Sequence, residues 1–163
     1  LAASLRDLSG HNRDLAGAPG WDSGGWYASG NVIWLTAPFS ITSDWTIIAK
    51  YTGHTAGQTD YVFYATFADG RYWYGWDSGA YDIANKTFIR TAGEQSSGVA
   101  TMAGKQAYYN TTSLGVMTGV VGASTSGLLI GGALGTSLRI RCVGAWNRTL
   151  SASDLAKIIA KMP

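Results

Sequence analysis

A chain of 163 residues with a formal charge of +2 and 13% charged residues fits a single domain, expected to span 1–163, and is long enough to bury roughly 70% of its unfolded surface. So weak a field excludes nucleic-acid binding through a basic patch. A lone cysteine, Cys142, excludes an intrachain disulfide and a cysteine-based zinc site.

The mixture holds 22 glycines, one glutamate (Glu94) and many Ser, Thr, Tyr and Trp, which disfavours helices and suits pleated strands. The chain opens on Leu1 rather than Met, as a piece of a longer protein would, and carries no signal peptide. The stretch WDSGGWY, 21–27, reads as a Gly-rich loop whose Trp21, Trp26 and Tyr27 reach the rim of a ligand site.

Strand signals then recur at 31–35, 44–51, 60–67, 71–77, 86–91, 106–110, 115–121, 127–132 and 137–146, separated by Gly, Asp, Ser and Thr clusters. Many short strands with frequent turns predict an all-β, two-sheet antiparallel sandwich. His11 and His54 fall in turn-like sequence without paired ligands and read as solvated loop residues. Cys142 sits in an apolar strand pattern and reads as a buried structural thiol. Positions 106–138 hold no charge, but Asn110, Thr111, Thr112, Ser113 and Thr118 break the run well short of the ~20 apolar residues a spanning helix needs. Membrane insertion is not expected; contacts with a neighbouring subunit explain the uncharged stretch better.

One short helix closes the chain. Ser151 caps it with Asp154 as partner, and Leu155, Ile158, Ile159 and Met162 form one apolar stripe. Pro163 is expected to end it.

An ordered set of motifs resembles the laminin-G-like, concanavalin-A-like jelly-roll family. Asp7, Ser9 and Gly10 stand where that family opens with D-x-S-G; DWTIIAKY is similar to its first core strand; YYNTTSLG matches its Y-V-N-G hairpin, LLIGG its L-x-I-G, and GAWNRTLSASDLAKI its R-I-Y-N-R-A-L-S-x-x-E-I ending. The resemblance implies a jelly roll, and domains of this kind are common in bacteriophage tail, spike and capsid-decoration proteins, so a virion or extracellular location is expected. Some relatives bind calcium through loop carboxylates. Here Val32 and Ile33 replace one acidic pair and Arg141 and Cys142 another, so no metal or cofactor is assigned.

Rings and charges crowd into RYWYGWDSGAYD, 71–82. Asp69-Gly70 predicts a two-residue hairpin. That register pairs Phe67 with Tyr72, Ala65 with Tyr74 and Phe63 with Trp76 on a core face. It leaves Tyr64 opposite Gly75, Thr66 opposite Trp73, Val62 opposite Asp77 and Ala68 opposite Arg71 on the outer face. Rings that pack on a sugar's C–H face, beside an acid and a guanidinium for its hydroxyls, suit carbohydrate. The expected ligand site is therefore Tyr64, Arg71, Trp73, Asp77, Trp26 and Tyr81. Burial of Trp73 as covered core, or in an oligomer interface, would explain the same residues.

Glycanases of this architecture use a carboxylate pair, and the E-x-D-x-E strand motif needs two Glu residues where this chain has one. Asp77 and Asp82 are near in sequence but separated by a turn. No G-x-S-x-G elbow and no phosphate-cradling loop occurs. The chain is therefore expected to be no enzyme but a recognition module for glycan, bacterial surface polysaccharide or another cell-surface receptor. The alternative is a structural capsid-decoration or tail-assembly domain acting through homo-oligomer contacts.

Overall fold

The computed structural model describes residues 20–27, 35–37, 39–42, 44–55, 60–66, 72–76, 79–82, 87–90, 95–116, 124, 127–133 and 138–163. Among them the strands, in chain order, are β1 (Gly20–Asp22), β2 (Gly25–Tyr27), β3 (Leu35–Thr36), β4 (Thr46–Thr52), β5 (Asp60–Thr66), β6 (Tyr72–Trp76) and β7 (Gly79–Asp82). There follow β8 (Thr87–Arg90), β9 (Ser97–Ala103), β10 (Gln106–Tyr109), β11 (Thr112–Val116), β12 (Leu129–Ala133) and β13 (Arg139–Trp146), then the helix α1 (Ala152–Ile159).

They form two antiparallel sheets. The larger runs β1-β2-β13-β4-β9-β10-β11 and the smaller β3-β12-β5-β6-β7-β8. The expected mostly-β, two-sheet architecture with one C-terminal helix is present. β13, from the end of the chain, sits between β2 and β4, so the last strand closes the middle of the larger sheet.

The main core lies between the sheets. Ile47, Ala49 and Tyr51 of β4 and Ala100 and Met102 of β9 meet Phe63 and Ala65 of β5 and Ile130 of β12. β4 is apolar on both faces for a reason. Ile48, pointing the other way, packs with Val99, Leu150 and Leu155, and α1 brings Ile158, Ile159 and Met162 over the same patch. A strand covered on both sides reads as a continuous apolar run rather than an alternating one.

The helix starts as expected. The Ser151 hydroxyl accepts from the Asp154 N–H at 3.1 Å and donates to the Asp154 carboxylate at 2.8 Å. It ends earlier than expected, at Ile159 with Ala160 as cap, so Pro163 is not its terminator. The Lys50 ammonium donates to the Met162 carbonyl at 3.2 Å, which ties the last turn down to β4.

The YYNTTSLG hairpin also forms. Tyr109 pairs with Thr112, and Asn110 takes φ 53° in the two-residue link. Its side-chain oxygen accepts from the Val99 N–H at 3.0 Å while its own N–H donates to the Val99 carbonyl at 2.8 Å. Asn tolerates this left-handed conformation better than most residues.

Three expectations are corrected. WDSGGWY is no loop but the β1–β2 hairpin, with Trp21 opposite Trp26 and Ser23-Gly24 as its link. Glycines there suggested a turn throughout, yet Gly25 is a strand residue whose Cβ would come within 2.5 Å of the Ile140 carbonyl; it lets β2 approach β13. His54 is 5% exposed rather than solvated, and its N–H donates to the Ser96 carbonyl at 3.1 Å, holding the segment after β4 beside the one before β9. Cys142 is half-buried, not fully buried. It stands opposite Lys50 just after a bulge in β13. The opening Asp7-Ser9-Gly10 turn, His11, residues 31–34 and residues 117–121 lie outside the described residues.

Candidate functional site

The hairpin that carries most of the expected site is present, in a different register. Thr66 pairs with Tyr72, Ala65 with Trp73, Tyr64 with Tyr74 and Phe63 with Gly75. Five residues lie between Thr66 and Tyr72, and the register differs by one position from the one a two-residue link at Asp69-Gly70 sets; that link lies outside the described residues, as do Arg71 and Asp77. Slipping one strand by one position against its partner exchanges the faces of all its residues relative to that partner.

That slip re-sorts the rings. Phe63 and Ala65 are fully buried in the inter-sheet core, and cross-strand partners share a face. The Trp73 position therefore belongs to the core-facing side with Ala65, and the Tyr72 and Tyr74 positions to the opposite side. The pairing of Trp73 with Thr66, from which an outward Trp73 is expected, is replaced by its pairing with Ala65. Trp26 is corrected too: it is 7% exposed and part of the inter-sheet core, because β2 pairs it with Ile140 of β13. Its neighbour in the hairpin, Trp21, is the exposed ring, at 45%.

Tyr64 and Tyr81, proposed from sequence without any direct link, come into one line. Leu129 of β12 pairs with Tyr64, Tyr64 with Tyr74, Tyr74 with Tyr81 and Tyr81 with Phe88. The line crosses five strands of the smaller sheet and ends at the edge strand β8. Tyr64 is half-buried while Phe63 and Ala65 on either side of it are buried, so the line belongs to the face turned away from the core. α1 packs on the other sheet. Tyr74 and Phe88 escaped sequence reasoning because the assumed register put Tyr74 inward, and β7, which links them, was not recognised as a strand.

A second polar and aromatic cluster lies at the β1 end of the larger sheet. The Arg139 Nε donates to the Asp22 carboxylate at 2.8 Å, and the Gly24 N–H donates to its other oxygen at 2.7 Å. The Arg139 guanidinium also lies 4.4 Å from the centre of the Tyr27 ring. These are the groups a sugar site would use, but they satisfy one another and fasten the hairpin to β13. The hydrogen bond from Arg139 holds the Asp22 carboxyl below its ordinary value of 3.8, helped by the Gly24 N–H and opposed by partial desolvation.

Cys142 has its thiol pKa raised by burial, with Lys50 pulling the other way, which lowers its thiolate fraction. Among the described residues no three of His, Cys, Asp and Glu gather as a metal site requires, and no helix is long and apolar enough to cross a membrane.

No family model and no curated protein matches this sequence. Solved structures do. Trypanosoma rangeli sialidase in complex with sialic acid matches 91% of this chain with a TM-score of 0.64 at 16% identity. The same enzyme in complex with the inhibitor DANA gives 0.62 at 15% identity, over 91% of this chain, and a mutant displaying trans-sialidase activity gives 0.61 at 16%, over 90%. The chain spans 29–30% of those chains. At this identity the likeness concerns the fold. It corrects the expectation that the chain is no enzyme at the level of fold alone: these solved structures are of a sialidase, an enzyme.

Proposed function

We propose that this chain binds carbohydrate, on the outer face of its smaller sheet. The observation that carries the reading is the unbroken cross-strand line Tyr64–Tyr74–Tyr81–Phe88. Aromatic rings offer large, stiff, apolar area with a polar tip on each Tyr, which suits a ligand with C–H faces and hydroxyls. The reading is supported by a fold shared with proteins of which one is solved with sialic acid. A larger glycan-acting protein, of which this chain supplies about three tenths, fits the coverage of those matches. The finer assignment, a laminin-G-like jelly roll on a phage particle or otherwise outside the cell, rests on the sequence motifs.

A glycan array tests the proposal. The wild-type chain should bind a defined set of glycans, and Tyr64→Ala should abolish that signal while Tyr64→Phe keeps most of it. A folded protein with no signal on the array contradicts it. The competing reading, a structural module acting through homo-oligomer contacts, is favoured by the uncharged stretch 106–138. It predicts a stable oligomer by light scattering and an empty array.

A further inference from the structure

Resting on the carbohydrate-binding reading, we infer that the ligand is an extended, linear, predominantly neutral glycan lying across the strands, rather than a single terminal sugar. Neighbouring strands lie ~4.8 Å apart, so the three steps from Tyr64 to Phe88 span roughly 14 Å. One strand step is close to the length of one pyranose ring in an extended chain. A line of ring-bearing positions at that repeat matches successive sugar units and exceeds what one sugar can cover.

The positions in the line are uncharged throughout: Thr36 and Leu129 on one side, then Tyr64, Tyr74, Tyr81 and Phe88. The parallel pair Thr66 and Tyr72 is uncharged too. Among the described residues of the line no cation stands, so a carboxylated sugar bound in its middle would leave water without a partner charge from them, a costly transfer. Arg90, opposite Gly79, stands two positions beyond Phe88 on the edge strand. Its charge therefore marks one end of the line, not its centre. Arg139 lies on the other sheet and is held by Asp22. Among the described strands the line also runs out to the edge of the sheet at β8, which leaves a long chain room to continue along it.

Calorimetric titration separates the possibilities. The probes are cello-, xylo- and manno-oligosaccharides from monosaccharide to hexasaccharide, with 3′-sialyllactose as the anionic, terminal-sugar probe. For at least one neutral series affinity should rise by about tenfold or more from disaccharide to tetrasaccharide and then level off. Tyr81→Ala should remove the length dependence and Tyr81→Phe retain it, with thermal melts confirming that both fold. Tight binding of 3′-sialyllactose or a monosaccharide that is lost in Tyr81→Ala overturns the linear, neutral ligand and leaves the carbohydrate-binding reading standing. Length-dependent binding that Tyr81→Ala does not alter overturns the inference as well. No heat with any probe, together with an empty array, removes both.

Discussion

Glycine and aromatic residues work together in this chain in a way that their spacing alone does not reveal. A Cβ on Gly144 would come within 2.5 Å of the Trp146 indole, one on Gly98 within 2.3 Å of the Tyr109 ring, and one on Gly20 within 2.4 Å of the Tyr27 ring. Each glycine is a seat for a ring. We expect Gly144→Ala to displace the Trp146 indole from under α1 and to destabilise the fold by about 1–3 kcal/mol, measured by urea unfolding. Asp22 gives a pH prediction. Its folded-state pKa is depressed, so its contribution is fully present above its ordinary value of 3.8 and is lost as pH falls through the lower folded value. Urea midpoints taken downward from pH 5 should therefore drop less steeply in Asp22→Asn than in wild type; identical slopes would show that the Arg139 pair adds nothing.

Elements were legible where side chains were large and alternation was clear. β5, β6, β8, β10 and β13 fall inside stretches marked by runs of Ile, Val, Tyr, Phe or Trp, and β4 and β12 overrun theirs by one residue. β9, SGVATMA, was missed because Ala, Gly and Thr give little hydrophobic signal; its burial comes from lying between β4 and β10. β1 and β2 were missed because three-residue strands rich in Gly resemble loops. The register of β5 against β6 differs by one position from the one that a two-residue turn at Asp-Gly sets, and one position is enough to exchange the faces of one strand relative to the other. α1 was legible in full at its start, where capping chemistry is local. Ser151→Ala should cost about 1 kcal/mol, with the loss concentrated in α1 and visible as faster amide exchange there than in β4.

At the scale of the molecule, two sheets share one core, and the helix covers the outer side of the larger. The smaller sheet then carries its aromatic line on the side away from the core, and this division is the premise of the proposed function. The two-sheet architecture could be read from strand count and turns, and the proposed carbohydrate chemistry from the rings. Which rings face outward could not, since it depends on register. The most direct test is to label the chain with ¹⁵N and map amide shifts on adding a glycan that binds on the array. The account predicts that the perturbed amides cluster at Tyr64, Tyr74, Tyr81 and Phe88. Shifts confined to the β1–β2 hairpin around Trp21 and Tyr27, with the β5–β8 amides unmoved, would contradict it.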